Sequence, residues 1–405
     1  MKLKETELLQ QLVRVPSVNP AFAAQGSAGE GPLTDFLQSL LDQLGWHWLR
    51  QQVNHGRDNL IALCPGQGAD TTLWEVHQDT VGIAGMTIDP FAGEESQGRI
   101  WGRGACDIKG GMAAMIAALS RSQAQPGLQK SNIVLALTIN EECGFTGADA
   151  LCRIWSHDPR RQVDPADVHG PLSLAELQSL RPIHALIAEP TELDVVVAHK
   201  GASRWRCHVH GCAAHSSQPE LGANAIYAMA DLVLAIEAYH EQVLACGEPH
   251  PLCGQRAVCA TTIEGGSGVN IVPDHAVIDI DRRLLPGESP RQAYDELVAH
   301  IKRHIERDGI TIEHEQPWIE CVGLEDGANH AWAGQIAAAA QAIGLPSKLV
   351  GVAYGTDASV IAANGIPSVV FGPGSIEQAH TKDEWLEVEQ LSKATDVLYR
   401  LACGE

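Results

Sequence analysis

Apolar residues recur at helical spacing in two segments near the start of the chain. Residues 5–14 and 30–44 carry leucine, valine and phenylalanine at intervals of three and four positions, which places them on one face of a helix. Gly45 follows the second segment, and glycine commonly ends a helix because it adopts the left-handed conformation without strain. The pattern therefore predicts two amphipathic helices.

Short apolar runs of strand length then alternate with helical segments up to residue 188. Strands are predicted at residues 59–63, 72–76, 132–139 and 183–188, and an apolar helix at 112–119. The third of these strands is apolar almost throughout, which is typical of a strand covered on both faces of its sheet. The alternation predicts an α/β domain.

Two further segments belong to the same predicted domain. Residues 152–182 contain four prolines and no sustained periodicity beyond a short helix at 174–180, which indicates a surface insertion. Near the end of the chain helices and strands alternate again, with a strand at 367–371 and a closing helix at 388–401.

A different order of elements lies between these two parts. From about residue 197 the pattern predicts strand, helix, two strands, helix and strand, which is the split βαβ order of a ferredoxin-like domain. A chain of 405 residues is also longer than one hydrophobic core usually becomes. We therefore predict one domain made of residues 1–196 and 316–405, with a second domain, residues 197–315, inserted into it.

The composition of the chain limits its possible binding partners and its expected location in the cell. The formal charge of -22 argues against binding to nucleic acid or to an anionic membrane surface. No window approaches the roughly 20 apolar residues of a membrane span, and the first residues lack the apolar core of a signal peptide. The 11 cysteines show no Cys-x-x-Cys spacing, which favours a reduced, cytoplasmic protein.

Side chains that can bind metal follow the ends of the predicted strands, and Asp107 lies in a glycine-rich loop between two of them. Each alone has an ordinary interpretation, such as a surface histidine, a helix N-cap or a solvated strand exit. Open α/β sheets, however, bind ligands beyond the carboxyl ends of their strands. Imidazole and carboxylate without thiolate suit a pair of zinc ions. The residues at strand ends are His77, Asp79, Glu141, Glu142, Glu189 and His380.

Five motifs in the same order resemble a known family. They are residues 77–81 (HQDTV), 102–111 (GRGACDIKGG), 141–144 (EECG), 189–191 (EPT) and 379–380 (AH). The chain resembles the dinuclear zinc amidohydrolases that include acetylornithine deacetylase, succinyl-diaminopimelate desuccinylase, aminoacylase and glutamate carboxypeptidase. The resemblance implies an α/β fold, with a mixed-sheet catalytic domain and an inserted ferredoxin-like α+β lid and dimerisation domain.

The resemblance also implies a role for each of these residues. Two Zn²⁺ ions are expected, with Co²⁺ or Mn²⁺ as substitutes. His77 and Glu189 would bind one ion, Glu142 and His380 the other, and Asp107 would bridge them. Glu141 would act as the general base and Asp79 would orient His77.

Residues of the inserted domain and its surroundings are assigned in the same way. His215, in residues 211–217 (GCAAHSS), would stabilise the tetrahedral intermediate, commonly across a dimer. Asn270 and Arg283 would hold the substrate carboxylate, for which a guanidinium is well suited. A surface salt bridge is an equal alternative for Arg283. Gly355 and Thr356 would line the substrate pocket.

The expected activity is hydrolysis of an N-acyl amino acid, with N-acetylornithine preferred because residues 354–359 and 372–380 resemble that branch of the family most closely. Desuccinylase, aminoacylase and dipeptidase activities use the same metal chemistry and remain open, as does a mononuclear zinc protein. A non-catalytic homologue that binds amino-acid derivatives is disfavoured, because all the expected ligands and the base are present. The expected partners are a small-molecule substrate and a second copy of the chain.

Overall fold

A computed structural model gives the structure of the chain and describes residues 3–23, 28–125 and 127–405. It divides into two units. Unit 1 comprises Met1–Val197, Asp326–Val350 and Thr356–Glu405, and unit 2 comprises Ala198–Glu325 and Gly351–Gly355. Unit 2 begins near the predicted residue 197 but continues past 315. It does so because a strand at Ile319–Cys321 pairs with a strand of unit 2.

The helices and strands of the described residues are named in chain order. The helices are α1 (Glu5–Val13), α2 (Gly31–Leu44), α3 (Gly110–Gln123), α4 (Glu141–Gly144), α5 (Thr146–Cys152), α6 (Leu174–Ser179), α7 (Ala225–Tyr239), α8 (Pro290–His304), α9 (His330–Gln341), α10 (Asp357–Ala363) and α11 (Val388–Cys403). The strands are β1 (His47–Asn54), β2 (Arg57–Cys64), β3 (Thr71–His77), β4 (Glu94–Ser96), β5 (Arg99–Trp101), β6 (Asn132–Thr138), β7 (Val168–His169), β8 (His184–Ile187), β9 (Val195–His199), β10 (Gly201–His210), β11 (Ala214–His215), β12 (Ala257–Gly265), β13 (Ile271–Val272), β14 (His275–Leu284), β15 (Thr311–His314), β16 (Ile319–Cys321), β17 (Leu349–Val352), β18 (Ser368–Val370) and β19 (Trp385–Glu387).

Unit 1 is built on a mixed sheet with the strand order β17-β9-β18-β8-β3-β6-β2-β1-β7. Strands β18, β8, β3 and β6 run parallel to one another. On one side β9 pairs antiparallel with β18, and on the other side β2, β1 and β7 continue the sheet antiparallel. Every residue of β3 is buried, because helices cover both faces of a sheet with parallel strands at its centre. The α/β fold with a mixed sheet is therefore confirmed.

The parallel register brings the carboxyl ends of the central strands to one edge of the sheet. His77 at the end of β3 pairs with Thr138 at the end of β6. Ile187 at the end of β8 pairs with Glu75 of β3 on one side and with Val370 of β18 on the other. The residues that follow these strands consequently start from neighbouring positions.

Unit 2 contains an antiparallel sheet in the order β12-β14-β10-β15, with β16 paired to β10. Side chains alternate along its strands, as the two-residue period requires. One face contributes Trp205, Cys207 and Ile278 to a core that also contains Leu232 of α7 and Leu297 of α8. This strand order is that of a ferredoxin-like split βαβ unit, while the role of unit 2 as a lid stays a prediction.

Three differences from the sequence-based expectations concern the large sheet of unit 1 and the segment beside it. The sequence does not predict β1, because the strand contains several polar residues and shows no apolar run. One of them, Gln51, is nevertheless buried, and its side-chain amide donates a hydrogen bond to the carbonyl oxygen of Ala150. The sequence also misses β9, which lies next to the change of domain. The segment 152–182 is less peripheral than expected, because Trp155 and Leu177 are buried and β7 pairs with β1 at the edge of the sheet.

Candidate metal centre

Five of the residues singled out in the sequence converge in two groups at this edge of the sheet. One group contains His77, Asp107 and Glu189, and the other contains Asp107, Glu142 and His380. Within each group the potential ligand atoms lie within 4.8 Å of one another. The carboxylate of Asp107 belongs to both, with Oδ1 3.3 Å from His77 Nε2 and Oδ2 3.3 Å from His380 Nε2. These are the two ligand sets, and the shared carboxylate, that the resemblance implies.

The tautomer of His77 is set by its own loop. Nδ1 lies 3.0 Å from the carbonyl oxygen of Asp79, and because a carbonyl only accepts, Nδ1 carries the hydrogen. The lone pair of the neutral ring is then on Nε2, which faces Asp107 Oδ1 at 3.3 Å and Glu189 Oε1 at 3.8 Å. A metal-binding histidine is normally oriented in this way.

The carboxylate of Asp79 contacts both His77 and the neighbouring turn. Its Oδ1 lies 3.6 Å from Nδ1 of His77, and its role in orienting that ring stays a prediction. The carboxylate also accepts the main-chain N–H groups of Glu141 and Glu142, at 3.1 and 3.2 Å. The amide of Asn19 also donates to it, at 2.8 Å. Asp79 thereby holds α4, which carries both glutamates.

A second buried network supports α4 from the other side. Asn140 adopts a left-handed conformation, with φ 65°, immediately before Glu141. Its side-chain oxygen accepts from Asn19 at 2.9 Å and from Arg57 at 3.1 Å. Arg57 also makes a bidentate pair with the fully buried Glu30, at 2.5 and 2.7 Å. Sequence reasoning missed these supporting residues because they are 83 to 121 positions away from Asn140.

Asp107 is held by Glu384, which sequence reasoning also missed. The buried carboxylate of Glu384 accepts the main-chain N–H groups of Gly104, Cys106 and Asp107 at 2.9–3.0 Å. It also forms a buried ion pair with Arg103 at 2.6 Å. In the sequence, Glu384 is marked only by its position four residues after the predicted ligand His380.

Negative charge accumulates at the two groups. Burial and the charge of Asp107 raise the pKa of Glu142 to about 7 and that of Glu189 well above its usual value. Burial, with the repulsion of Glu189 and Glu142, also raises the pKa of Glu141. Hydrogen bonds to Asp107 and Glu142 raise the pKa of His380 to about 10. Each shift has the direction expected where carboxylates crowd without a compensating cation.

The donor set fits a pair of divalent metal ions. Nε2 of His77 and Oε1 of Glu142 are buried and have no hydrogen-bond partner in the described chain, which is costly unless a cation binds there. Two imidazoles and three carboxylates without thiolate match the preferences of zinc and of similar divalent ions. The charge that raises the pKa values above would be neutralised by such ions.

Two of the other predicted residues lie together in unit 2. His215 of β11 pairs with Ile271 of β13, and the N–H of Ser216 donates to the carbonyl of Asn270 at 3.1 Å. The imidazole of His215 is exposed, and its Nδ1 contacts Ser217, with Oγ at 2.7 Å and the N–H at 3.2 Å. Nε2 is therefore directed away from these contacts.

The remaining substrate-binding predictions concern three residues. Arg283 pairs with Asp281 on its own strand, at 3.0 and 3.2 Å to Oδ2, which is the salt-bridge alternative. Thr356 is fully buried and its hydroxyl caps α10 by accepting the N–H of Ala358 at 3.1 Å. Gly355 belongs to unit 2. Contact of these residues with substrate stays a prediction.

The fold and the two groups that share a carboxylate define a class of protein, the α/β hydrolytic enzymes with a dinuclear metal centre. The chain matches Peptidase family M20/M25/M40 over residues 73–403. It is 30% identical to an acetylornithine deacetylase of Myxococcus xanthus over 389 residues, 92% of each chain. The chain therefore belongs to this family of metallopeptidases and deacetylases, and it is a hydrolytic enzyme.

Solved structures show the same fold at lower identity. An M20 family metallo-carboxypeptidase from Sulfolobus solfataricus superimposes with a TM-score of 0.77 at 16% identity, over 99% of both chains. A dinuclear metal binding peptidase of the M20 family from Bacillus subtilis gives a TM-score of 0.64 at 17% identity, over 98% of this chain and 96% of its own. Among the described residues, no helix is long and apolar enough to cross a membrane.

Proposed function

We propose that this chain hydrolyses the amide bond of an N-acyl amino acid, with N-acetylornithine as the first candidate substrate and two zinc ions as cofactors. The observation that carries the proposal is the pair of ligand groups joined by Asp107, with Glu141 next to the ligand Glu142 in the same turn. The 30% identity to an acetylornithine deacetylase over 92% of the chain supports the choice of substrate.

The residues around the centre suit this chemistry. Two divalent ions, when bound, supply Lewis acidity for the scissile carbonyl and lower the pKa of water toward neutrality. Glu141 removes a proton from the attacking water and later delivers one to the leaving amine. Burial raises the pKa of Glu141, which favours a carboxyl group that holds a proton between the two steps. His77, Glu189, Glu142 and His380, with Asp107 shared, hold the two ions.

Three residues of unit 2 are proposed to bind the substrate. The exposed imidazole of His215 would donate a hydrogen bond to the oxyanion that develops on the acyl group. Asn270, which the pairing of β11 with β13 brings near His215, would bind the carboxylate end of the substrate. Arg283 would assist once its bond to Asp281 is exchanged for the substrate carboxylate.

The substrate proposal predicts a clear order of activities in a hydrolysis panel. Zinc-loaded protein is assayed with N-acetylornithine, N-succinyl-diaminopimelate, other N-acetyl amino acids and dipeptides, and kcat/KM is compared. We expect the highest value for N-acetylornithine, because the pocket would select both the acetyl group and the amino-acid part. A higher value for the succinyl compound or for a dipeptide would reassign the substrate within the same metal chemistry.

We also propose that the chain forms a homodimer through unit 2. Of the large apolar side chains of unit 2 that are more than half exposed, two lie on α7, Tyr227 and Leu234, and one lies on the edge strand β12, Ile263. Exposed apolar surface beside an unpaired strand edge is typical of a protein interface. Leu234→Glu should shift the chain from dimer to monomer in size-exclusion chromatography with light scattering.

The matched control for this prediction is Ile183→Glu, a change at an apolar side chain of unit 1 that is 46% exposed. It should leave the dimer intact. A wild-type chain that is monomeric at micromolar concentration, or dimers that tolerate Leu234→Glu, would contradict the assignment. No disulfide joins the eleven cysteines, all of which lie in the described part of the chain, which supports the proposal of a reducing, cytoplasmic location.

A further inference from the structure

A second cluster of histidines lies on the sheet of unit 2, and the hydrolytic reaction makes no use of it. His208 and His210 are two residues apart on β10, so they share one face of the sheet. His275 begins β14 and is paired directly with His210. The buried face of these strands holds the core of unit 2, so the three imidazoles lie on the opposite, solvent-facing side.

The three rings are close enough to share one ligand. A ring nitrogen of each lies within 4.8 Å of a nitrogen of the other two. Nδ1 of His208 and Nε2 of His275 are 3.1 Å apart, and the ring centroids are separated by 5.2 to 5.9 Å. Two nitrogens bound to one tetrahedral zinc ion are about 3.3 Å apart, given Zn–N bonds of about 2.0–2.1 Å.

A carboxylate on the adjacent strand segment selects the tautomer of His208. Nε2 of His208 lies 2.8 Å from Glu315 Oε1, and since an ionised carboxylate only accepts, Nε2 carries the hydrogen. Nδ1 of the neutral ring then presents its lone pair toward His275. Glu313 lies near His210, with Oε2 3.6 Å from Nε2, which is beyond hydrogen-bond distance. Carboxylates in the position of Glu315 orient histidines that bind metal ions.

We propose that His208, His210 and His275 form a surface binding site for a divalent transition-metal ion such as Zn²⁺, Ni²⁺ or Cu²⁺. Three imidazole nitrogens satisfy the preference of these ions for nitrogen ligands, and the exposed side leaves a coordination position for water. His208 is 22% exposed and His210 is 45% exposed, so an ion can reach the site without any opening of the fold. The bound ion would join β10 to β14 through side chains as well as through main-chain hydrogen bonds.

The site is testable by counting the metal ions bound to the folded 405-residue chain. Zn²⁺ is titrated in the presence of a chromogenic chelator, and bound zinc is measured per chain. Wild-type protein should bind one zinc ion more than His208→Asn or His275→Asn. Glu315→Gln should keep the site but weaken its affinity by about 10–100-fold, the usual effect of removing the carboxylate behind a histidine ligand.

The controls separate this site from the candidate metal centre and from general binding by surface histidines. His55→Asn changes an exposed histidine in unit 1 and should bind as much zinc as the wild type. Circular dichroism should show that all variants are folded, because the substituted side chains lie outside the core. Equal zinc stoichiometry and affinity in the wild type, His208→Asn and His275→Asn would overturn the proposal, whatever the hydrolytic activity proves to be.

Discussion

Glu141→Gln should lower kcat by about 10²–10⁴-fold, the usual contribution of a general base, while the chain keeps its metal ions. The amide has the shape of the carboxylate but cannot accept the proton of water. Glu141 belongs to neither ligand group, and its main-chain N–H would still donate to Asp79 Oδ1. The turn and the ligands should therefore be undisturbed. The measurements are kcat with the best acylated substrate and metal content by elemental analysis.

The neighbouring Glu142→Gln is the matched control, because it removes a carboxylate of the same size from the same turn. Glu142 lies 3.1 Å from His380 Nε2 and belongs to the second ligand group. This variant should lose about one of the two ions of the candidate metal centre, whereas Glu141→Gln should keep both. Substantial activity in Glu141→Gln would mean that Glu141 is not the general base. A single ion at this centre in the wild type would make Asp107 a ligand of one site only.

The ligands at strand ends could be predicted because a buried strand appears in the sequence as an apolar run. The residue at the end of such a run can therefore be identified without the structure. His77 and Glu189 follow such runs, and the parallel pairing of β3 with β8 brings them together. The motif resemblance then supplied Asp107, whose glycine-rich loop has no periodicity of its own.

The residues that hold the site could not be predicted in the same way. Asn19, Glu30 and Arg57 support α4 through contacts between residues 83 to 121 positions apart, and no periodic pattern in the sequence indicates such pairs. The histidine cluster of unit 2 could not be predicted either, because its formation depends on the register of two strands. His210 lies beside His275 only when β10 and β14 pair in the observed register. A shift of one residue would send those side chains to opposite faces.

Glu384→Ala should destabilise the chain by about 3–5 kcal/mol, the cost of removing one partner of a buried ion pair. Glu384 is fully buried, and its partner Arg103 is 3% exposed. The variant would leave that guanidinium without its carboxylate partner, and would also remove the acceptor of the N–H groups of Gly104, Cys106 and Asp107. The free energy of unfolding would be measured by denaturant titration of metal-free protein.

The same substitution should reduce metal affinity by about 10–100-fold, because Asp107 is the residue shared by both ligand groups and its loop is anchored on Glu384. Glu384→Gln should recover part of the stability, since its amide oxygen can still accept main-chain N–H groups.

Glu387→Ala is the matched control three residues along the chain. Its pair with Arg99 spans 3.8 Å between side chains that are 42% and 34% exposed, so its loss should cost at most about 1 kcal/mol. Similar losses in the two alanine variants would mean that the carboxylate of Glu384 does not hold the loop of Asp107. Normal stability with weakened metal binding would mean that Glu384 orients the ligand without supporting the fold.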